Sequence, residues 1–585
     1  MKVTGSKYLL VGLAVSFALF SNGIRGDFVF DDAIVIVGNP IIERGISGVV
    51  EAFRSPYHAY QPKTGLYRPL TIFSYSLNYA IFGTSPVSFH VVNIVLHGLV
   101  GFFIFLVLQQ IGGKRAAILG MLLFLAFPIH VEDVTSIVGR AELLALLFVL
   151  AALYSAMRHR YILASCMFLL GILSKESAIV FLPMWLAWEY FFNKQTIRTI
   201  LKRFLIMILA ISMYAVLRYL ALGEYFLAND ATPTYNALKF ATIPQTLWTS
   251  GKIFFLYLQK TLFPTVFSPD YSLFQIPLLN SPLASWESIV GIVLLVGCIV
   301  IAWRNRRSPL GWFVLFFLSS YFIISNLVFK TGTIMAERIL YPATFGLAAM
   351  TAYGIEWLRQ KWGHEKVIYA SVTLLLLFYG FKTIQHNRDW ISETNLFQRA
   401  YASAPLSIPN RVNHAYLAYR DNNYARAVDE LEATLTVVPD HVPALHLAGQ
   451  AYKKMGNVGK AEEYWKKAVA LQPDYLAAYL GLGMLYYEQG HFASAEAALD
   501  DAVAVFPRSS EVAYLSLAKT GLKKYDEAIS IVENYFGKNP GQVELRLALG
   551  IAWYKKGDKE RASEYISADY FPTIEKNSIF RIIDL

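Results

Sequence analysis

The chain has 585 residues, of which 55% are hydrophobic and only 16% charged, and its formal charge is +10. Soluble domains carry about a quarter charged residues, so a string of three or four soluble domains is excluded. The Lys and Arg residues fall in short clusters beside apolar runs, which fits orientation in a membrane and argues against a nucleic-acid partner.

Apolar runs predict about eleven spans: 8–24, 87–109, 116–129, 141–157, 161–174, 177–192, 204–222, 288–303, 309–329, 339–357 and 366–384. The first follows Lys2 and Lys7 as a signal peptide would, but "SNGIRGDF" is a poor cleavage site, so it is kept as a span. Basic clusters at 114–115, 158–160, 194–203, 304–307 and 359–361 fall at alternate loops and mark the cytosolic side. The other side then holds loop 25–86, the turns at 129–140 and 174–177, the stretch 223–287, loop 330–338 and everything after about 385. Counting Leu247 to Leu262 as a span would reverse the later half, so an interfacial or re-entrant helix is expected there. Cys166 and Cys298 lie within apolar runs and read as small core hydrophobes, not as a disulfide or metal pair.

Beyond position 385 the composition changes. Pro405, Pro439, Pro473 and Pro507 recur every 34 residues; Ala427, Ala461, Ala495, Ala528 and Ala562 keep nearly the same step, and Gly456, Gly490 and Gly557 mark turns. This is the tetratricopeptide period, a helix–turn–helix unit whose small residues admit close packing. Four to five repeats over about 391–568 predict an α-solenoid with a concave groove suited to a protein segment. The expected division is a membrane domain, 1–385, and an extracytoplasmic repeat domain, 386–585.

Charged residues near hydrocarbon are costly and tend to be paired or functional. On the non-cytosolic side they gather in "DFVFDDAIVI" (Asp27, Asp31, Asp32), "LYRPLT" (Arg68), "FPIHVEDVTSIVGRAELLA" (His130, Glu132, Asp133, Arg140, Glu142), "LSKESA" (Lys175, Glu176) and "MAERILYPA" (Glu337, Arg338). Singly, each has an ordinary reading: a turn, a snorkelling arginine, a tight hairpin. Together they match what transfer from a lipid-borne sugar needs: a carboxylate to take a hydroxyl proton and cations to hold a departing phosphate. His130 with Glu132 and Asp133 lacks a second histidine, so ligand spacing does not support a divalent metal, and no other cofactor is indicated.

In order along the chain, "DFVFDDAIVIVGNP", "YRPLTIFSYSLNYAIFG", "FHVVNIVLH", "FPIHVEDVTSIVGRAELLA", "LSKESA", "FSPDYS", "AERILYPATFGL" and "NRDWISETNLFQRA" together with the repeats resemble the transmembrane and tetratricopeptide-repeat O-mannosyltransferases. The resemblance implies an all-α GT-C membrane fold, a dolichyl- or polyprenyl-phosphate mannose donor and inverting transfer to Ser or Thr of exported protein. It places Asp31 and Asp32 at the essential acidic pair, with Asp32 taken as the base. His130, Glu132, Arg140 and Glu142 match the second outer-loop motif, and Lys175 with Glu176 the third. Arg68, Arg218 and Arg338 are candidates for phosphate or structural contacts from charge and location. The expected partners are a polyprenyl-phosphate-linked sugar, an acceptor polypeptide in the repeat groove and the bilayer. The absence of an N-x-Ser/Thr sequon points to a bacterial inner membrane with periplasmic repeats; in a eukaryote the repeats would be lumenal. The competing readings are a non-catalytic envelope scaffold and a lipid-sugar ligase acting on glycans.

Overall fold

The computed structural model describes residues 2–37, 39–58, 64–228, 232–505, 507–537 and 541–566, with side chains from residue 5 onward except at 505. Every regular element among them is helical, and they form two compact units, Met1–Asn410 and Arg411–Leu585. The first unit therefore extends past 385, taking in the helix Glu393–Ser403 and the first turn of Ile408–Arg420. The end of the tail, 567–585, lies outside the described residues.

Helices occupy all the apolar segments from Lys2–Phe20 to Glu365–Asn387. Five of the described helices are long and apolar enough to cross a membrane, or six if Gly113–Ala126 and Pro128–Val134, bent by 53°, form one broken span. Among the described residues, helices of that length and apolarity are therefore fewer than the eleven expected spans. Tyr161–Ser174 has 14 residues and Pro309–Ile324 has 16, short for a hydrocarbon core that takes about 20.

Burial separates the centre of this unit from its rim. The Ile137–Met157 span is 83% buried, whereas Trp286–Arg304 is only 11% buried and presents Val293, Val296 and Ile299 outward. An apolar surface of that extent is unfavourable in water and stable in lipid. The cysteines follow the rim: Cys166 is exposed and Cys298 half-buried, so they are not core residues. Their helices turn these sides away from the packed centre.

The helix Ile243–Leu262 is absent from the crossing set. It packs against Trp286–Arg304 where a Cβ on Gly291 would stand 1.9 Å from the Gly251 carbonyl oxygen, a close approach only glycine allows. Its further contacts run to Phe317 and Tyr321, and the Leu262 carbonyl accepts from the Tyr379 hydroxyl at 3.0 Å. It packs extensively against Trp286–Arg304 and reaches the Glu365–Asn387 helix at its own C-terminal end.

The second unit consists of antiparallel helix pairs, from Tyr424–Val437 to Lys559–Tyr565. Ala427, Ala461, Ala495 and Ala528 are fully buried where the pairs touch. A Cβ on Gly449 or Gly481 would come within 2.6 or 2.7 Å of the Trp465 ring, so these glycines make room for that indole. Gly456, Gly490 and Gly557 take φ of 79°, 72° and 103° at the turns, the left-handed geometry that glycine adopts without a Cβ penalty.

Candidate active site

The charged motifs converge in the first unit. Asp31 and Asp32 open a short helix, Asp31–Val35, entered through Phe30 at φ 55° and ψ −121°. For a bulky residue this conformation costs on the order of 1–3 kcal/mol, and the surrounding bonds hold it. Asp32 is fully buried. Its Oδ1 accepts from the Val138 N–H at 2.8 Å, and its Oδ2 from the Val29 and Ile137 N–H groups at 3.1 and 3.4 Å. Burial pushes its carboxyl up to about 7 against the pull of those three donors. The adjacent Asp31 points elsewhere: its side chain is 35% exposed and its Oδ2 lies 3.8 Å from Arg338 Nη2.

Arg338 is shared. Its Nη1 contacts Glu132 Oε1 at 2.5 Å, and its backbone N–H donates to Glu132 Oε2 at 2.8 Å. Burial works against the guanidinium charge, but Glu132 and Asp31 outweigh it and hold the group more strongly protonated than usual. Glu337 next to it accepts from the Ser268 N–H at 3.0 Å and from the Tyr271 hydroxyl, and burial raises its carboxyl to about 8.

A second set adjoins the first. Lys175 Nζ meets Glu142 Oε1 at 2.5 Å, and Ser177 donates to Glu142 Oε2 at 3.1 Å. Arg68 Nε lies 3.2 Å from Glu176 Oε2 and stacks over the Tyr57 ring, while Arg218 Nη1 lies 3.8 Å from Glu176 Oε1. Arg218 is held by the carbonyls of Gly65 and Phe226 and by the Tyr214 hydroxyl. The sets act on each other: burial lowers Lys175, helped by the positive charges of Arg68 and Arg338. Arg68, Lys175, Arg218 and Arg338 thus face Asp31, Glu132, Asp133, Glu142 and Glu176, four cations against five carboxylates.

Two expected residues lie behind this group. Arg140 is fully buried and donates to Asn93 Oδ1, Asn78 Oδ1 and the carbonyls of Ser74 and Phe89, between the rings of Tyr75 and Phe89. Asn93 and Tyr75 in turn bond the Ser136 and Ile137 carbonyls. Arg140 therefore braces the turn whose N–H groups grip Asp32. Gly139 is needed in that turn, since a Cβ there would stand 2.2 Å from the Asp133 carbonyl oxygen. His130 is buried among Phe124, Phe127, His97 and Tyr341 and bonds Thr344 Oγ1 at 2.8 Å, apart from Glu132. Among the described residues no three His, Cys, Asp or Glu side chains form a set able to hold a metal.

Asn93, Tyr75 and Phe30 are not among the residues the sequence singles out. Backbone N–H donors and the neutral side chains that aim them leave no compositional trace, whereas the ionisable residues stand out against an apolar background.

Residues 63–221 match the family described as Dolichyl-phosphate-mannose-protein mannosyltransferase, a segment containing Arg68, Glu132, Arg140, Glu142, Lys175, Glu176 and Arg218. Residues 442–475 and 459–519 match tetratricopeptide repeat families. Protein O-mannosyl-transferase TMTC3 of Homo sapiens is 26% identical over 513 residues, covering 79% of this chain and 54% of its own length. Over about four-fifths of its length the chain is thus similar to a transmembrane and tetratricopeptide-repeat O-mannosyltransferase. A second such O-mannosyltransferase, F38B6.6 of Caenorhabditis elegans, is 28% identical over 427 residues, covering 69% of this chain and 59% of its own. The chain spans about half the length of the curated relatives it matches. Among solved structures, a thermophilic tetratricopeptide protein of Thermus thermophilus is 23% identical and covers 30% of this chain and 97% of its own at a TM-score of 0.26. Asp31, Asp32 and Arg338 lie outside the matched residues 63–221 and are joined to them through the contact of Arg338 with Glu132.

Proposed function

We propose that this chain is a membrane glycosyltransferase that moves a sugar, mannose as its relatives' names indicate, from a polyprenyl phosphate to Ser or Thr hydroxyls of exported proteins. The observation that carries the reading is the split within the acidic pair. Asp32 has both oxygens occupied by backbone N–H groups, while Asp31 keeps a part-exposed carboxylate beside Arg338.

Asp31 is then the general base, in place of Asp32. As the acceptor oxygen attacks the anomeric carbon, its proton passes to an Asp31 oxygen and the bond from that carbon to the phosphate oxygen breaks. The leaving polyprenyl phosphate keeps the bonding pair, and its growing charge is met by Arg338, Lys175, Arg68 and Arg218. A single displacement inverts the anomeric centre and needs no glycosyl-enzyme. Because every one of these cations already faces a carboxylate, donor binding has to loosen a pair. Glu176 is the one to yield: it is about one-third exposed, and Arg218 stands 3.8 Å from it. The repeats hold the acceptor polypeptide, and the site opens on the non-cytosolic face.

The test is transfer by the purified full chain from polyprenyl-phosphate mannose to Ser- and Thr-containing peptides, paired with mass spectrometry of exported proteins with and without the chain. Hexose lost from Ser or Thr supports the proposal. A changed surface polysaccharide with unchanged proteins would assign the chemistry to glycans, and no transfer at all would leave a scaffold.

A further inference from the structure

The Glu365–Asn387 helix exposes Leu374, Leu377, Phe378 and Phe381, and Phe263 and Val266 are exposed near its far end. These side chains form an apolar band suited to lipid. Immediately past Phe381 the lining becomes polar around a cavity of about 190 Å³, with Lys382, Gln385, His386, Asp389, Arg399 and Thr265 on its walls. With that band in hydrocarbon, the cavity just beyond it would meet lipid headgroups, where cationic and aromatic side chains are at home.

Its charges do not cancel. Asp389 Oδ2 is engaged by His386 Nδ1 at 2.8 Å, and Arg399 Nε stands 3.8 Å from the same oxygen. Lys382 has no carboxylate within 4 Å among the described residues. Two full cations thus face one carboxylate that already holds a histidine. The other carboxyl at that ring, Glu337 Oε2 at 3.9 Å from His386 Nε2, lies outside the lining and is pushed up to about 8 by burial. About one positive charge is therefore left, with Gln385 and Thr265 as neutral donors. His386 is fixed from behind by stacking on Phe267 at 4.5 Å. The volume is below the 300–1,000 Å³ usual for whole small-molecule ligands, so it suits a phosphate group and not a sugar phosphate. None of the four cations of the candidate active site lines it.

We propose that this cavity seats the phosphodiester of an anionic membrane phospholipid, one negative charge answering one positive. The site is separate from the glycosyl-transfer reading and stands or falls without it.

The experiment is native mass spectrometry of the full-length protein in detergent, titrated with phosphatidylglycerol or phosphatidylcholine. The wild type is expected to retain phosphatidylglycerol in preference to phosphatidylcholine. Lys382→Ala with Arg399→Ala should weaken that retention roughly thirty-fold, from the worth of two surface cations, and either single change about five-fold. Lys382→Arg with Arg399→Lys should preserve it. Both side chains are partly exposed, so the variants should remain monodisperse on size exclusion; if the double variant does not, the single variants decide. Undiminished retention in the alanine variants overturns the proposal. Displacement of phosphatidylglycerol by submillimolar inorganic phosphate, with no preference between the lipids, would keep an anion site but overturn its assignment to lipid.

Discussion

Replacing each member of the acidic pair by asparagine should separate chemistry from architecture. In Asp32→Asn one oxygen becomes an NH2 group, which has to face the Val138 N–H or the Val29 and Ile137 pair. The cheaper orientation leaves one buried N–H unsatisfied, at about 1–3 kcal/mol, and weakens the remaining charge-assisted bonds. A total of about 2–4 kcal/mol is expected, enough to lower the melting temperature of a chain this size by several degrees. Asp31→Asn loses one 3.8 Å contact on a part-exposed side chain, so stability should change by less than about 1 kcal/mol, while transfer falls by roughly 10²–10⁴ with the general base removed. Thermal unfolding in detergent by tryptophan fluorescence, beside initial rates of mannose transfer, reads both effects. An Asp32→Asn protein that melts like wild type and is inactive, beside an active Asp31→Asn protein, would refute the assignment and return the base to Asp32.

Lys175→Gln should strand the buried Glu142 carboxylate and cost about 3–5 kcal/mol, visible as a lowered denaturation midpoint that Glu142→Gln in the same chain largely restores. Gly139→Ala should be as damaging, because its methyl would meet the Asp133 carbonyl oxygen; wild-type melting and transfer in that variant would show that the 133–139 turn can open to admit a methyl group. In the repeats, His441 accepts the Ala444 N–H through Nδ1, and burial holds its pKa down at about 4. A depressed histidine gives stability that is present above its unfolded value of about 6.5 and lost as pH falls toward 4. Relative to the intrinsic exchange rate at each pH, protection of the Val442–Lys454 helix should therefore fall from pH 7 to pH 5 by the equivalent of about 2 kcal/mol. His441→Asn, which keeps a capping acceptor without the titration, should flatten that dependence; an unchanged slope would place its source elsewhere.

Much of this protein is legible without coordinates because its signals are local. A 34-residue step of proline and alanine reports helix pairs wherever they lie, since each small residue is required by its immediate neighbours. Ionisable residues stand out in apolar sequence because burying them unpaired is prohibitive, so Glu132, Glu142, Lys175 and Glu176 are all visible. The number of spans is not, because apolar composition does not separate a short helix packed inside the unit from one crossing lipid.

Arg140 and His130 show the other limit. Both belong to a conspicuous motif, and both face away from the open part of the site, one braced by amides and carbonyls, the other set among aromatic rings. The same holds within the acidic pair. Sequence marks Asp31 and Asp32 alike as adjacent carboxylates near a membrane, and it is decisive for the helical membrane architecture and the repeats. Only the tertiary structure distinguishes the two aspartates, because two of the N–H groups that occupy Asp32 come from residues 105 and 106 positions away, and the arginine beside Asp31 comes from the far end of the same unit. Hydrogen bonding and burial are properties of neighbours in space, and one sequence specifies those neighbours only by folding.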